Sequence, residues 1–399
     1  MRIVEGSWID QYLDYVKEQE SPQIFHFWTA VSVIASALGR NVYVDMGYFK
    51  LFPNLYVVLI AESATCRKST AMRLGTDILE AIDDAPNILS QKITPEAMIA
   101  ELCSAGIVKT EEGEPRNSEC VINSEELSVF LGEDAFKNGT AALLTRFFDC
   151  PSLWAYQTKS KGKEPLHDVV VNLLGASTPD WLRRSIPSDA TGGGFMGRFM
   201  FVLSRDPGSI NAIPRVTEEM MQMKSNLIAD LSEIRRMRGE FALTKEAFKK
   251  FEEWYEDWMI NLKDESGYSP KKHTYVLKLA MVLSAAESGK LVIERSHING
   301  ALQALQRIEP GMNEVVASIW MSPAGQVARK VLAIIRAQGE AGITKGRLLR
   351  RCWRFADADM MNKILDTLCQ SGLVELRSKK LGNRQIRNTY YAHKHTLLV

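Results

Sequence analysis

Residues 54–70 read NLYVVLIAESATCRKST: an apolar run, a stretch of small and polar residues, then Lys68-Ser69-Thr70 at the head of the helical pattern AMRLGTDILEAI. Strand, turn, Lys-Ser, helix is the layout of a phosphate-binding turn. Backbone N–H groups wrap phosphate oxygens, the lysine neutralises charge, and the serine hydroxyl holds Mg²⁺. Ser63, Ala64, Thr65, Cys66, Arg67, Lys68, Ser69 and Thr70 are therefore the candidates for holding a nucleoside triphosphate. The usual spacing, G-x-x-x-x-G-K-[ST], would put glycine at 62 and 67, where this chain has Glu62 and Arg67. A residue other than glycine in such a left-handed turn costs roughly 1–2 kcal/mol. The plain alternative is a surface loop ahead of a helix.

A triphosphate site needs acids on a neighbouring strand end, one to orient the Mg²⁺ shell and one to polarise the attacking water. CVIN (120–123) reads as a buried strand running into Ser124-Glu125-Glu126. Glu125 takes the metal-side role and Glu126 the base role. A shift of one position makes Glu125 the base and Ser124 the metal-side residue. The alternative is a strand end before a helix whose dipole favours acids. Further on, VVVNLLGASTP ends in polar Ser177 and Thr178 before Pro179, and GGGFMGRFMFV sets Arg198 between a glycine run and a strand. A polar side chain at 177 or 178 would hold the attacking water. Arg198 would reach the nucleotide of a neighbouring subunit, or else pair with a local acid.

At 399 residues the chain exceeds one ordinary core. Residues 6–38 repeat apolar side chains at helical spacing, and helices are expected at 69–83, from Thr94 onward, and at 139–148. Strands at 153–158 and 168–177 flank a turn, KSKGKEPLH. Buried strands alternating with helices imply an α/β fold with a mainly parallel sheet. From Pro214 to about Met321 the pattern is helical only, over 216–238, 244–263, 271–288 and 294–318. The end of the chain reads helix, helix (with Thr344 as N-cap), helix, hairpin, which is a winged-helix order. The expected division is an N-terminal helical segment (1–45), a sheet-bearing ATPase core (46–213), a helical lid (214–321) and a winged-helix domain (322–399).

Net charge is only +1, yet from Pro323 to Val399 fifteen Lys and Arg stand against five Asp and Glu. A basic tail on an acidic body implies a polyanion partner. Arg377, Lys379, Lys380, Arg384 and Arg387 fall on the expected wing. Lys345, Arg347, Arg350, Arg351 and Arg354 fall on the second helix. The third helix carries only Lys363, which favours phosphate contacts over base reading. A winged helix that binds protein is the alternative. The six cysteines form no CxxC pair, the start of the chain has no signal-peptide core, and the run Leu55 to Ala61 is too short to span a bilayer. A reducing cytoplasm and no membrane are expected.

FHFWTAVSVIASALGR, NLYVVLIA with RKST, INSEEL, NLLGASTPDWL, GGGFMGRFMFV and HTYVLKLAMVLSAA together resemble a P-loop ATPase family of unknown function encoded by phages and mobile elements. That family is distantly similar to MCM-type hexameric replicative helicases. The resemblance spans roughly residues 20–290. It implies an α/β P-loop NTPase core (AAA+/RecA-like, three layers) with N-terminal helices, a helical lid and a C-terminal winged helix. ATP and Mg²⁺ are the implied cofactors, a homo-oligomer (a hexamer) the implied assembly, and a bacterial host cytoplasm the implied location. By the resemblance Ser177 or Thr178 matches sensor 1, Arg198 the arginine finger, and Lys271 or Lys272 a second sensor. It also puts the hairpin at 153–174 in a central channel, where Lys159, Lys161 and Lys163 would track single-stranded DNA while the winged helix meets duplex. The implied function is an ATP-driven, ring-forming DNA motor, a helicase of phage or mobile-element replication. The rivals are a replication initiator or regulator with a degenerate ATPase site, and a helicase loader.

Overall fold

The computed structural model describes residues 6–90, 92–107, 117–132, 135–158, 162–187, 194–261, 269–320, 323–381 and 385–393. It divides into two units, Met1–Ile319 and Trp320–Val399. The first half of the first unit contains α1 (Trp8–Tyr15), α2 (Gln23–Leu38), β1 (Val42–Asp45), β2 (Lys50–Leu51), β3 (Tyr56–Ile60), α3 (Lys68–Glu80), β4 (Ile88–Leu89), α4 (Pro95–Ile107), β5 (Glu119–Ser124), α5 (Leu127–Leu131) and α6 (Thr140–Phe147). It continues with β6 (Leu153–Thr158), β7 (Gly162–His167), β8 (Val170–Ser177), α7 (Pro179–Ser185), β9 (Met200–Leu203), α8 (Glu218–Arg235), β10 (Gly239–Glu240), β11 (Ala242–Leu243), α9 (Lys245–Ile260), α10 (Lys272–Ser288), β12 (Val292–Ile293) and α11 (Arg295–Trp320).

The fold is mixed α/β around a five-stranded sheet in the order β4-β5-β8-β3-β9, with every pairing parallel. Every residue of β3 and β8 is buried. Continuous apolar runs are what a parallel sheet covered on both faces demands. The order in which strands are added reverses at β3. The chain leaves β3 for the edge strand β4, returns through β5 and β8 to one flank of β3, and then lays β9 on the other flank. Such a reversal opens a crevice beside the C-terminal end of the first strand, where open α/β sheets receive ligands.

Packing behind that crevice is tight. α2 is buried on nearly every side, as a helix apolar all round must be. A Cβ on Gly75 of α3 would lie 2.4 Å from Thr29 Cγ2 of α2, so only glycine lets the two helices approach this closely. Beneath them, Arg235 at the end of α8 donates from Nη1 and Nη2 to the Glu119 carboxylate at 3.0 and 2.9 Å. Its Nε donates to the Asp84 carbonyl at 2.9 Å, and its Nη1 also reaches the Ala37 carbonyl at 3.3 Å. One guanidinium thus joins α8, β5, α2 and the turn after α3. Burial alone would pull its pKa down, but Glu119 and Asp84 raise it above the ordinary value.

The structure corrects the sequence reading in three places. The helical stretch at 6–38 is two helices, because Pro22 has no N–H to continue a helix and instead sits at the N-cap of α2. The expected turn KSKGKEPLH is half strand: GKEPLH is β7, paired antiparallel with β6 and including Pro165 opposite Ala155. Proline is tolerated there because a two-stranded ribbon is all edge. The expected all-helical region contains three two-residue strands, with β10 pairing to β1 and β11 to β12. Strands this short carry no readable alternation.

The second unit contains α12 (Pro323–Arg336), β13 (Ile343–Thr344), α13 (Lys345–Cys352), α14 (Ala358–Gln370), β14 (Val374–Leu381) and β15 (Gln385–Ala392). The strands form an antiparallel sheet in the order β13-β15-β14. Val331, Ile335, Leu348, Met361, Leu365 and Val374 lie in its separate core. Asp357 caps α14 by accepting from Met360 N at 2.8 Å, and Gly372 follows it in the left-handed region at φ +69°. Thr344 stands at the N-cap of α13, but its side chain makes no capping bond. Among the described residues, no helix is long and apolar enough to cross a membrane.

Candidate functional site

Strand register brings the candidate residues together. Ile60 at the end of β3 is level with Ser177 at the end of β8, and Ser124 at the end of β5 is level with Gly175. The three strand ends therefore finish within two residues, about 7 Å, of one another. Each opens into a loop or helix on the same edge of the sheet. Between them lies a cavity of about 480 Å³ lined by Ser63, Ala64, Arg67, Lys68, Ser69, Thr70, Glu125, Glu126, Ser128, Ala176, Ser177, Thr178 and Trp181.

The loop from Ala61 to Arg67 is held in a strained shape. Ala64 and Arg67 both adopt positive φ, at +62° and +47°. Arg67, with ψ 42°, occupies the left-handed conformation immediately before α3, where a glycine is usual. Glu62, the other expected glycine position, is not in that region; Ala64 is. The strain is offset by bracing from the α1–α2 connection: Arg67 Nε pairs with Glu20 at 3.0 Å, and Ser21 Oγ donates to the Arg67 carbonyl at 3.1 Å. Thr65 Oγ1 donates to the Glu62 carbonyl at 2.9 Å. Ala64→Gly should therefore stabilise the chain by about 0.5–1 kcal/mol, since relief of left-handed strain exceeds the added entropy of the unfolded state. Chemical denaturation reads this directly, and a loss of stability would contradict the strained-loop account.

Lys68 opens α3 and turns back over the loop, where its Nζ donates to the carbonyls of Ala61 and Glu62 at 2.8 and 3.2 Å. Burial lowers its pKa, with Cys66 and Glu62 acting in the opposite direction. The free N–H groups of the first turn of this 13-residue helix and the lysine ammonium make one end of the cavity cationic. Glu125 and Glu126 are exposed at the other side. Thr178 Oγ1 accepts from Trp181 N at 3.3 Å as the cap of α7, which fixes the hydroxyl at the cavity wall. Ser177 Oγ contacts the Thr178 carbonyl at 3.4 Å.

A cation and a polyanion fit between these walls. Among the described residues no three His, Cys, Asp or Glu side chains gather as a metal cage. A Mg²⁺ ion there would need a hydroxyl or carboxylate, waters and phosphate oxygens to complete its shell. Ser69, Glu125 and Glu126 are the side chains in the cavity able to contribute to such a shell.

Several expected residues lie elsewhere. The Cys66 thiol is buried and turned toward the Asp206 carbonyl at 3.4 Å, away from the cavity. Thr65 is not part of the lining. Arg198 stands just before β9, at the opposite edge of the sheet. There it pairs with Asp149 at 2.9 Å and donates to the Gly194 carbonyl at 2.8 Å. Lys271 and Lys272 are also absent from the cavity; Lys271 lies 3.9 Å from Asp149, and Lys272 pairs with Glu309. Ser128, Ala176 and Trp181 line the cavity without having been singled out in the sequence. The helix-start pattern Thr178-Pro179-Asp180-Trp181, just past a strand end, is the sequence signal that could have placed Trp181 there.

On the second unit, Arg377 is exposed, pairs with Glu375 at 2.8 Å and lies 4.7 Å from the Tyr391 ring. Lys159, Lys161 and Arg384 fall outside the described residues, as do the side chains of Lys163, Lys379, Lys380 and Arg387. Arg347, Arg350, Arg351 and Arg354 are exposed on and just after α13.

No protein-family model and no curated protein matches this chain. The functional reading therefore rests on geometry and chemistry.

Proposed function

We propose that this chain is an ATP-dependent, ring-forming DNA motor, a helicase of phage or mobile-element replication. In this reading it has a P-loop core of the AAA+/RecA kind, a helical lid, and a C-terminal winged helix. One observation carries the reading. Lys68 and Ser69 at the start of a helix, two adjacent glutamates, and a polar strand end line a single cavity at the crevice where the strand order reverses. Phosphate oxygens would take the N–H groups of the first turn of α3 and the ammonium of Lys68. The Lys68 side chain would leave the Ala61 and Glu62 carbonyls to do so. Ser69 and Glu125 would hold Mg²⁺, which supplies charge neutralisation between the phosphates. Glu126 would orient and deprotonate the attacking water, with Ser177 or Thr178 fixing its position.

Arg198 fits this scheme only in an assembly, since it stands at the sheet edge opposite its own cavity. A neighbour's nucleotide is the partner left for it, with Asp149 holding it until then. The exposed arginines of α13 and Arg377 on the hairpin suit phosphate contacts with duplex DNA.

The test is Mg·ATP hydrolysis by the full chain with and without DNA, followed by mixing of variants. Glu126→Gln and Arg198→Ala should each abolish DNA-stimulated hydrolysis. A mixture of the two should recover a fraction of it, because some interfaces then pair an intact Glu126 with an intact Arg198. No ATP hydrolysis by the unmodified chain, or an Arg198→Ala chain with full activity, would reject the motor reading.

A second reading is supported by the loop itself. Two non-glycine residues in left-handed conformations, and a lysine tied to its own loop carbonyls, suit a replication initiator whose ATP site has decayed. Absence of Mg·ATP binding at millimolar concentration, with DNA binding retained, is the result that would select it.

A further inference from the structure

A second cavity lies at the other edge of the sheet, beneath the N-terminal ends of β3 and β8. It measures about 560 Å³ and is lined by basic and aromatic residues that the proposed ATP site does not use. Its floor is Lys278, fully buried, whose Nζ donates to the Asn54 carbonyl at 2.9 Å and to Asn54 Oδ1 at 2.5 Å. That ammonium lies 4.2 Å from the centre of the Phe148 ring. Lys271 Nζ and the Arg198 guanidinium face the same ring at 5.7 and 5.9 Å. One carboxylate, Asp149, serves both of these, at 3.9 Å from Lys271 and 2.9 Å from Arg198. Among the described residues, Lys278 and Lys50 have no ion-pair partner. Arg40 lines the wall, already paired with Asp168 and stacked on Phe52. The cluster thus carries more positive than negative charge at close range, in a partly desolvated place. Burial draws the pKa of Lys278 down to about 8.

The rim adds a different chemistry. The β1–β2 turn is closed by Met46 N donating to the Phe49 carbonyl at 2.9 Å and Gly47 N to Asp45 Oδ1 at 2.7 Å. It holds Tyr48 and Phe49 with their rings in solvent beside the cavity, Tyr48 fully so. Exposed aromatic side chains on a short, well-bonded turn offer faces for stacking, and the cations of the cavity offer charge for an anionic group.

We infer that this cavity is a second binding site, for a nucleoside 5′-phosphate, with the phosphate over Lys50 and Lys271 and the base against Phe49 and Tyr48. The site goes beyond the ATPase reading and does not depend on it. Its ligand has two sources with the same chemistry: a free mononucleotide, or the terminal nucleotide of a DNA strand.

The experiment uses the full chain carrying Lys68→Ala, so that the first cavity is disabled. Deoxyadenosine 5′-monophosphate and a 5′-phosphorylated deoxytetranucleotide are titrated separately by calorimetry. Saturable one-to-one binding is expected for at least one of them, at least about tenfold weaker for the matching probe without its phosphate. Adding Phe49→Ala and Lys50→Ala should weaken it by about tenfold or more. Both side chains are exposed, so the melting temperature serves as the control that folding is unchanged. Tighter binding of the mononucleotide assigns a free nucleotide, and tighter binding of the tetranucleotide a strand end. No saturable binding of either probe at millimolar concentration would overturn the site, as would affinity that ignores both the phosphate and the two substitutions. Because Lys68 is already gone, failure here says nothing against the ATPase, and failure of the ATPase says nothing against this site.

Discussion

Lys68→Ala should lower ATP hydrolysis by about 10³-fold, the loss seen when one preorganised charge or donor is taken from a developing phosphate or oxyanion. Among the described residues Lys68 is the one lysine lining the cavity, and it stands at the helix end where the charge accumulates. The chain should still fold. The ammonium is half-buried with a lowered pKa, so folding already holds it in an unfavourable place. What the substitution removes from the resting protein is two hydrogen bonds to the Ala61 and Glu62 carbonyls. Those carbonyls lie beside an open cavity and can turn to water. Steady-state phosphate release measures the first effect, and a thermal melt measures the second. A variant that hydrolyses ATP at the unmodified rate would remove the basis for placing phosphates at α3. A variant that is inactive because it is unfolded would be exposed by the melt, and Lys68→Met then repeats the test with the alkyl stem retained.

Glu119→Ala should be the most damaging single change to stability, at about 3–5 kcal/mol. It strips a buried guanidinium of its bidentate partner; the side chains of Arg235 and Glu119 are only 7% and 10% exposed. Arg235 would keep its bond to the Asp84 carbonyl and a longer, 3.5 Å pairing with the Asp84 carboxylate, but would lose its bidentate partner among α2, α8 and the sheet. Removing both partners together, as Glu119→Leu with Arg235→Met, should cost far less, because a dry pair replaced by apolar groups loses attraction and desolvation penalty at once. For a unit of this size the single substitution corresponds to a fall of roughly 6–10 °C in melting temperature. Differential scanning fluorimetry on the two single variants and the double variant completes a cycle. Equal losses in the single and double variants would show that packing, not charge, is what Glu119 contributes. The cost should also vary little with salt, because a pair this deep is poorly screened.

Most of the residues that line the first cavity were legible because their signals are local; Ser128, Ala176 and Trp181 were not. A buried strand followed by a tight turn and a helix names residues 63–70 without help from the rest of the chain, although Thr65 and Cys66 do not line the cavity. Glu125 and Glu126, and Ser177 and Thr178, are polar residues at or just past the end of an apolar strand. The shape of the loop was half legible. Missing glycines at 62 and 67 predicted strain; Arg67 bears it, but the other strained residue is Ala64 rather than Glu62, and the braces come from Glu20 and Ser21, more than forty positions upstream. No pattern in a sequence marks a brace of that kind. The same holds for the basic cavity, assembled from residues near 40, 50, 149, 271 and 278. Arg198 was singled out either to reach a neighbour's nucleotide or to pair with a local acid; its pairing with Asp149 and its distance from the cavity come only from the fold. The strands missed were the two-residue pairs and β7, where length and a proline hide the alternation on which strand recognition depends.

The order of apolar runs, turns and helices, read along the chain, was enough to determine a mixed α/β fold with a parallel sheet and which residues stand at the tips of its strands. Tertiary structure alone decided which tips are neighbours. The physical reason is register: β5, β8 and β3 lie side by side through backbone hydrogen bonds that no side chain encodes singly, and that pairing sets the lysine, the glutamates and the serine around one space while leaving Arg198 at the far edge.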